Sequence, residues 1–208
     1  MSPIRVVPTD KWDAIDEFYS FFKYILGAFL DLDSALGQLR KMEEINRADF
    51  NTDHGITEAD LDKAWQIYGE GDSITTTNPP LSLTSRRAFR FRISKGGPDE
   101  MIIGHMCLVA IFHAWEDHFR GLIAKEIGVN KGDLKYEVIG DLRSIRRSII
   151  HRQGRAQRSL DWLSISRGVE IIMDIERWKI FDQRLRLMCR DLKRRKYGTE
   201  EDPKWRFV

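Results

Sequence analysis

Apolar residues at Ile15, Phe18, Phe22, Ile25, Phe29, Leu32, Leu36 and Leu39 follow alternating steps of three and four, the seam of one long helix. After Leu39 the pattern shifts by one and continues through Met42 and Ile45, as a stammer in a heptad repeat does. Phe and Ile dominate where a dimeric coiled coil favours Leu, so the seam is expected to pack against other helices of its own chain. Residues 47–56 ("RADFNTDHGI") are polar and turn-rich, and a shorter amphipathic helix is expected from Thr57, which with Asp60 forms a capping-box pattern, to Tyr68.

Residues 71–99 contain "TTTNPPLS" and "KGGP", both breakers of regular structure. Between them "RRAFRFRIS" alternates Phe89, Phe91 and Ile93 with Arg90 and Arg92, a period of two that predicts a half-buried strand or extended arm, a flap or an exchange element between subunits. Pro98, Asp99 and Glu100 read as the first turn of a helix, because proline fits the first helical position and acids suit the positive end of the dipole. That helix is expected to run to a stop at Gly128, with Ile103, Met106, Cys107, Ala110, Ala114, Phe119 and Leu122 on its apolar face.

A third long helix is predicted from about Leu134 to Arg152 on Val138, Leu142, Ile145 and Ile149, with Gly154 as terminator. "WLSIS" and "VEIIM" on either side of Arg167-Gly168 suggest a small hairpin. The last helix is expected from about Asp174 to Lys196, with Trp178, Phe181, Leu185, Met188 and Leu192 facing the core. The fold class this implies is all-α: one up-and-down bundle of four to five main helices over residues 1–208, with a long N-terminal helical arm (10–46) and a small extended insertion.

Composition narrows the setting. A chain of 208 residues, 42% hydrophobic, can bury one good core. It has no run of eighteen apolar residues, and its opening "MSPIRVVPTDKWD" lacks the apolar region of a secretory signal, so a soluble, cytoplasmic protein with no membrane role is expected. Cys107 and Cys189 lie in apolar helical patterns and read as small core hydrophobes rather than as a disulfide.

Charge is distributed unevenly. Residues 1–70 carry 7 Lys/Arg against 14 Asp/Glu, whereas residues 141–196 carry 16 against 7, so a modest net charge of +2 conceals a segment of +9. Such asymmetry points to an anionic partner for the basic stretch or to packing against the acidic one.

Phosphate loops, nucleophile elbows and paired cysteine clusters are absent from the sequence. His113 and Asp117 are an i, i+4 pair able to share a cation, but His118 points elsewhere and no H-E-x-x-H occurs, so surface polar contacts are the expected use, with no metal and no cofactor. The stretch "DLRSIRRSIIHRQG", Asp141 to Gly154, is richer. Metal-free RNA cleavage needs a group that moves the 2′-hydroxyl and leaving-oxygen protons, which suits histidine, and a fixed cation for the phosphorane-like transition state, which suits arginine. On a regular helix Arg147 stands about 40° from His151 and Arg146 about 140°, so spacing alone favours Arg147, with Arg143 on a similar face. A solvated basic helix end has the same appearance.

"LRSIRRSIIHRQG" resembles the R-x4-6-H motif of the HEPN superfamily, with Arg146 as the arginine, His151 as the histidine, Ile149 between and Gly154 after. The resemblance covers residues of about 100–195. It implies an all-α bundle that homodimerises so that two motifs meet at the interface, and, for many such proteins, metal-independent endoribonuclease activity in toxin–antitoxin, abortive-infection or other defence systems. Others bind nucleotides or are non-catalytic partners, so a helical interaction module of a defence or regulatory complex is the alternative; a DNA-binding role ranks lower for want of a recognition helix. Carried onto this chain, the resemblance gives Arg146 and His151 as catalytic, Arg143, Arg147, Arg152 and Arg155 as holding RNA backbone, and RNA, a second copy and an antitoxin or other protein as partners. Arg147 stands where the motif usually has Asn, Asp or His; the extra cation calls for a compensating carboxylate, for which Glu116 and Asp117 are the candidates.

Overall fold

The computed structural model describes residues 12–54, 57–68 and 82–205. The described residues are mostly helical: α1 (Ala14–His54), α2 (Glu58–Lys63), α3 (Arg86–Ile93), α4 (Pro98–His113), α5 (Arg120–Ile127), α6 (Glu137–His151) and α7 (Ile175–Tyr197), with a two-stranded antiparallel ribbon, β1 (Trp65–Tyr68) and β2 (Ser82–Ser85). An all-α architecture is therefore established, and among the described residues no helix is long and apolar enough to cross a membrane. Contacts divide the chain into two compact units, Met1–Phe29 with Gly104–Val208, and Leu30–Ile103, so α1 and α4 each contribute to both.

In the first unit, the opening of α1 buries Ile15, Phe18, Phe22 and Phe29 as its heptad pattern predicts. Phe18 lies 5.1 Å from Trp115 and 5.5 Å from Phe119, while Phe22 meets Phe181 edge-on at 5.6 Å and Phe29 meets Trp178 at 5.2 Å. Offset and edge-on aromatic pairs of this kind add to the area they bury. α7 supplies Trp178, Phe181, Leu185, Met188, Cys189 and Leu192, and α6 supplies Val138, Leu142 and Ile145. At one end Lys193, only 2% exposed, meets the carboxylates of Asp16 at 2.7 Å and Asp13 at 3.7 Å, so a fully desolvated charge cluster ties α7 to the start of α1. Cys189 is buried and Cys107 half-buried, and both are free thiols.

The second unit corrects several expectations. α1 continues through the polar stretch to His54, although Gly55 and Ile56 lie outside the described residues. Its seam stays buried only in part: Leu36 is buried as expected, but Leu32, Leu39, Met42 and Ile45 are exposed and Glu43, off the seam, is buried. A strict heptad drifts about 20° per repeat around an untwisted α-helix, so residues on the seam at Phe18 have rotated off it three repeats later. Thr57 caps α2 as expected, accepting from the amide of Asp60, but the helix ends at Lys63 and Trp65–Tyr68 is a strand.

"RRAFRFRI" is a helix, not a strand. Ser85 caps it by accepting from the amide of Ala88, and Phe89 and Ile93, four apart, share one face against Leu36 and Ile103 while Phe91 stays exposed. The alternating arginines gain carboxylate partners in that geometry: Arg86 and Arg90 reach Glu43, and Arg92 takes Asp99 in a two-point contact at 3.0 and 3.2 Å. Three apolar residues at steps of two fit either period; the cap and the charge partners decide for the helix. Of the breaker stretches, "KGGP" forms the turn into α4, while residues 71–81 lie outside the described residues.

Candidate functional site

The first unit presents a charged face formed by the end of α4, the residues that follow it, and α6. Between α4 and α5 the helix passes through one π-helical turn, Ala114–Phe119. Phe119 is buried as expected, together with Leu108, Ile111, Phe112, Trp115 and Ile123, whereas the expected face residues Met106 and Leu122 are exposed. A run as uniformly apolar as "MIIGHMCLVAIF" has little contrast between faces, which is why its periodicity misassigned them. The turn also points His113, Glu116 and Asp117 out together beside α6, and π-helical turns recur at functional sites.

Arg146 crosses from α6 to this turn. Its Nε donates to Nε2 of His113 at 3.3 Å, and its guanidinium lies over the ring of Phe112, 5.5 Å from the centroid. Because Arg Nε can only donate, His113 Nε2 accepts, which places the imidazole proton on Nδ1; that nitrogen stands 3.0 Å from Asp117 Oδ2 and donates to it. The result is a carboxylate–imidazole–guanidinium chain of three side chains at the surface. Glu116, alongside, holds Arg120 at 2.9 Å, Arg143 at 3.4 Å and Lys131 at 3.9 Å. Arg143 also lies over Phe112. Neither carboxylate meets Arg147, the extra cation they were expected to compensate: Glu116 gathers three other cations and Asp117 orients an imidazole.

The motif histidine is not part of this chain. α6 is α-helical through His151, so Arg146 and His151 stay on different faces as five helical positions require, and among the described residues no hydrogen bond joins them. His151 and Arg147 are exposed, and their side chains make no hydrogen bond or ion pair among the described residues. Arg155 bonds Glu170 at 3.2 Å, and Arg152 forms the C-cap of α6. The structure therefore brings Arg143 and Arg146 together with Glu116 and Asp117, and leaves Arg147, His151, Arg152 and Arg155 along the exposed end of α6 and the following loop. His113, which sequence reading treated only as half of a weak metal pair, is the residue that joins them; its signal was its place opposite the motif arginine, visible only in three dimensions. Among the described residues no group of three His, Cys, Asp or Glu side chains is placed to hold a metal ion.

Other polar residues of the motif are structural. Asp141, buried, accepts from Trp162 Nε1 at 2.6 Å and from Arg158. Ser148, also buried, donates to the carbonyl of Ser144 and accepts from the amide of Gln157 at 3.1 Å, and its own carbonyl accepts from the amides of Arg152 and Gly154. Gly154, at φ +81°, lies against His105, whose Nε2 donates to the carbonyl of Ile171 at 2.7 Å. Burial lowers the His105 pKa, with the Ile171 carbonyl and Glu170 opposing it in part, so this ring is a neutral internal strut. These contacts fix the loop 152–174 onto α6. The loop pairs Arg155 with Glu170 and Leu160 with Ile165 around a short 3-10 turn at Asp161–Leu163, so the expected hairpin about Arg167-Gly168 is replaced by one whose tip lies earlier.

No family model, no curated protein and no solved structure matches this chain.

Proposed function

We propose that the protein is a HEPN-like, metal-independent endoribonuclease acting as a homodimer, and that Arg146 is the cation of its reacting centre. The observation that carries this reading is the chain Asp117–His113–Arg146, in which an imidazole of fixed tautomer stands against a guanidinium on a face crowded with further arginines. The contact from Arg146 to a neutral nitrogen at 3.3 Å is weak, and a phosphodiester offers a charge-assisted alternative, so RNA exchanges the phosphate for His113 at Arg146 and frees the Nε2 lone pair.

Cleavage then follows from ordinary acid–base chemistry. An imidazole takes the 2′-hydroxyl proton, the 2′-oxygen forms its bond to phosphorus, the bond to the 5′-oxygen breaks, and a second group returns a proton to that oxygen. The products are a 2′,3′-cyclic phosphate and a 5′-hydroxyl. Arg146 faces the charge that grows on the equatorial oxygens, and two proton transfers employ two imidazoles, His113 and His151. In a homodimer built on the exposed Met106 and Ile150, the His151 of one copy is supplied to the Arg146 of the other. Arg143, Arg147, Arg152 and Arg155 hold the backbone, so affinity falls with salt as counterions are released. Defence or toxin roles and a neutralising partner protein are consistent with such an enzyme.

The test is incubation with mixed RNA in chelator, followed by end-group analysis. Cyclic phosphate ends that depend on Arg146 and His151 support the reading. A second reading, a non-catalytic helical interaction module, is favoured by the separation of Arg146 from His151 within one chain; it requires that wild-type protein leave RNA intact.

A further inference from the structure

The loop after α6 builds a second basic feature. Arg152 ends the helix, Gln153 and Gly154 take successive left-handed conformations, and the chain turns back so that the amides of Ala156 and Gly168 bond the carbonyls of Val169 and Ala156 at 2.9 and 2.8 Å. Between the two segments is a pocket of about 440 Å³ lined by Arg152, Arg155, Ala156, Gln157, Arg167 and Gly168. Its charged lining is three arginines. Arg155 is aimed by Glu170 at 3.2 Å and by the carbonyl of Gly168 at 3.4 Å, whereas the guanidinium groups of Arg152 and Arg167 make no hydrogen bond or ion pair among the described residues.

Three guanidinium groups and the Glu170 carboxylate sum to a charge of +2, and two of those cations stand uncommitted beside a concavity large enough for a nucleotide-sized group. A phosphodiester carries one negative charge, while a phosphate monoester carries nearly two at neutral pH and three acceptor oxygens for planar arginine forks. We propose that this pocket is a binding site for a phosphate monoester: the terminal phosphate of an RNA strand, or the phosphate of a free nucleotide. As an RNA-end site it rests on the ribonuclease reading, for it begins at the residue after His151 and so holds a strand end next to the cleavage face. The loop that forms it is fixed by Ser148, Asp141 and His105 from inside, which pre-orders the arginines before ligand arrives.

The experiment measures binding, not cleavage. Short 2′-O-methyl oligonucleotides, which lack the attacking hydroxyl, are compared with a 5′-phosphate, a 3′-phosphate or neither, alongside uridine monophosphate and uridine, using wild-type protein and the Arg152→Ala/Arg167→Ala double variant. A terminal phosphate that tightens binding about tenfold, with the gain lost in the double variant, supports the RNA-end form. Tight binding of the monophosphate over the nucleoside, with no effect of strand phosphorylation, supports the pocket with a free nucleotide as its ligand. A gain below about twofold for every phosphorylated ligand overturns the proposal, as does a double variant that, beyond the general loss expected from removing a backbone cation at Arg152, leaves the ratio of phosphorylated to unphosphorylated binding unchanged. Arg152→Gln with Arg167→Gln, which keeps the stems, gives the same pattern if truncation disturbs the loop. Phosphate preference without RNA cleavage leaves this site standing while the ribonuclease reading falls; cleavage without preference does the reverse.

Discussion

A Cβ placed on Gly154 would stand 2.4 Å from Cε1 of His105, so the glycine that follows the basic motif is required both by its left-handed backbone and by the ring beneath it. Gly154→Ala is therefore expected to destabilise the first unit by about 2–4 kcal/mol, from the cost of a left-handed alanine and from overpacking. Urea unfolding at neutral pH measures it. A change within about 0.5 kcal/mol would show that the loop relaxes away from the ring.

The same His105 makes stability pH-dependent. Its folded-state pKa is lowered by burial, so the unfolded chain binds the extra proton first and stability falls as pH drops below the ordinary value of 6.5. The contribution is complete above that value and is lost as pH passes down through the folded-state pKa. Thermal unfolding between pH 7.5 and 5 should show this slope, and His105→Gln, which keeps a donor for the Ile171 carbonyl, should flatten it.

Lys193→Ala should cost about 3–5 kcal/mol, because it leaves the fully buried carboxylate of Asp16 without its counter-charge and Asp13 with Lys196 alone. Lys193→Met is expected to cost a similar amount unless Asp16 is replaced with it. Denaturant midpoints of the two single variants and of Lys193→Met/Asp16→Leu distinguish a charge effect from a packing effect, since only the former is repaired in the double variant.

Asp141→Ala removes the acceptor shared by Trp162 and Arg158 and should cost about 1.5–3 kcal/mol, with faster amide exchange across 152–174. Asp141→Asn keeps an acceptor for Trp162 and should lose less. Equal losses would mean that the charge alone mattered.

The helices were legible wherever apolar spacing was backed by a terminator: Pro98 opens α4, Gly128 closes α5 and Asp174 caps α7, each where the sequence placed it. Misreadings arose where period and context conflicted. Phe89, Phe91 and Ile93 alternate like a strand, yet a serine cap, the carboxylate of Glu43, distant in the sequence, and that of Asp99 fold them as a helix. At the candidate site Arg146 and both carboxylates, Glu116 and Asp117, stand out in the sequence. It could not show that His113, thirty-three residues before Arg146, is the imidazole the arginine meets, because a π-helical turn and a helix–helix packing bring them together.

The most direct measurement is the single-turnover rate of RNA cleavage in excess chelator by wild-type protein and by Arg146→Ala, with circular dichroism confirming that both are folded. Wild type is expected to cleave and the variant to lose at least about 100-fold, since one guanidinium at the reacting phosphate is worth that much. Intact RNA with wild-type protein, or equal rates from the two proteins, would contradict this expectation.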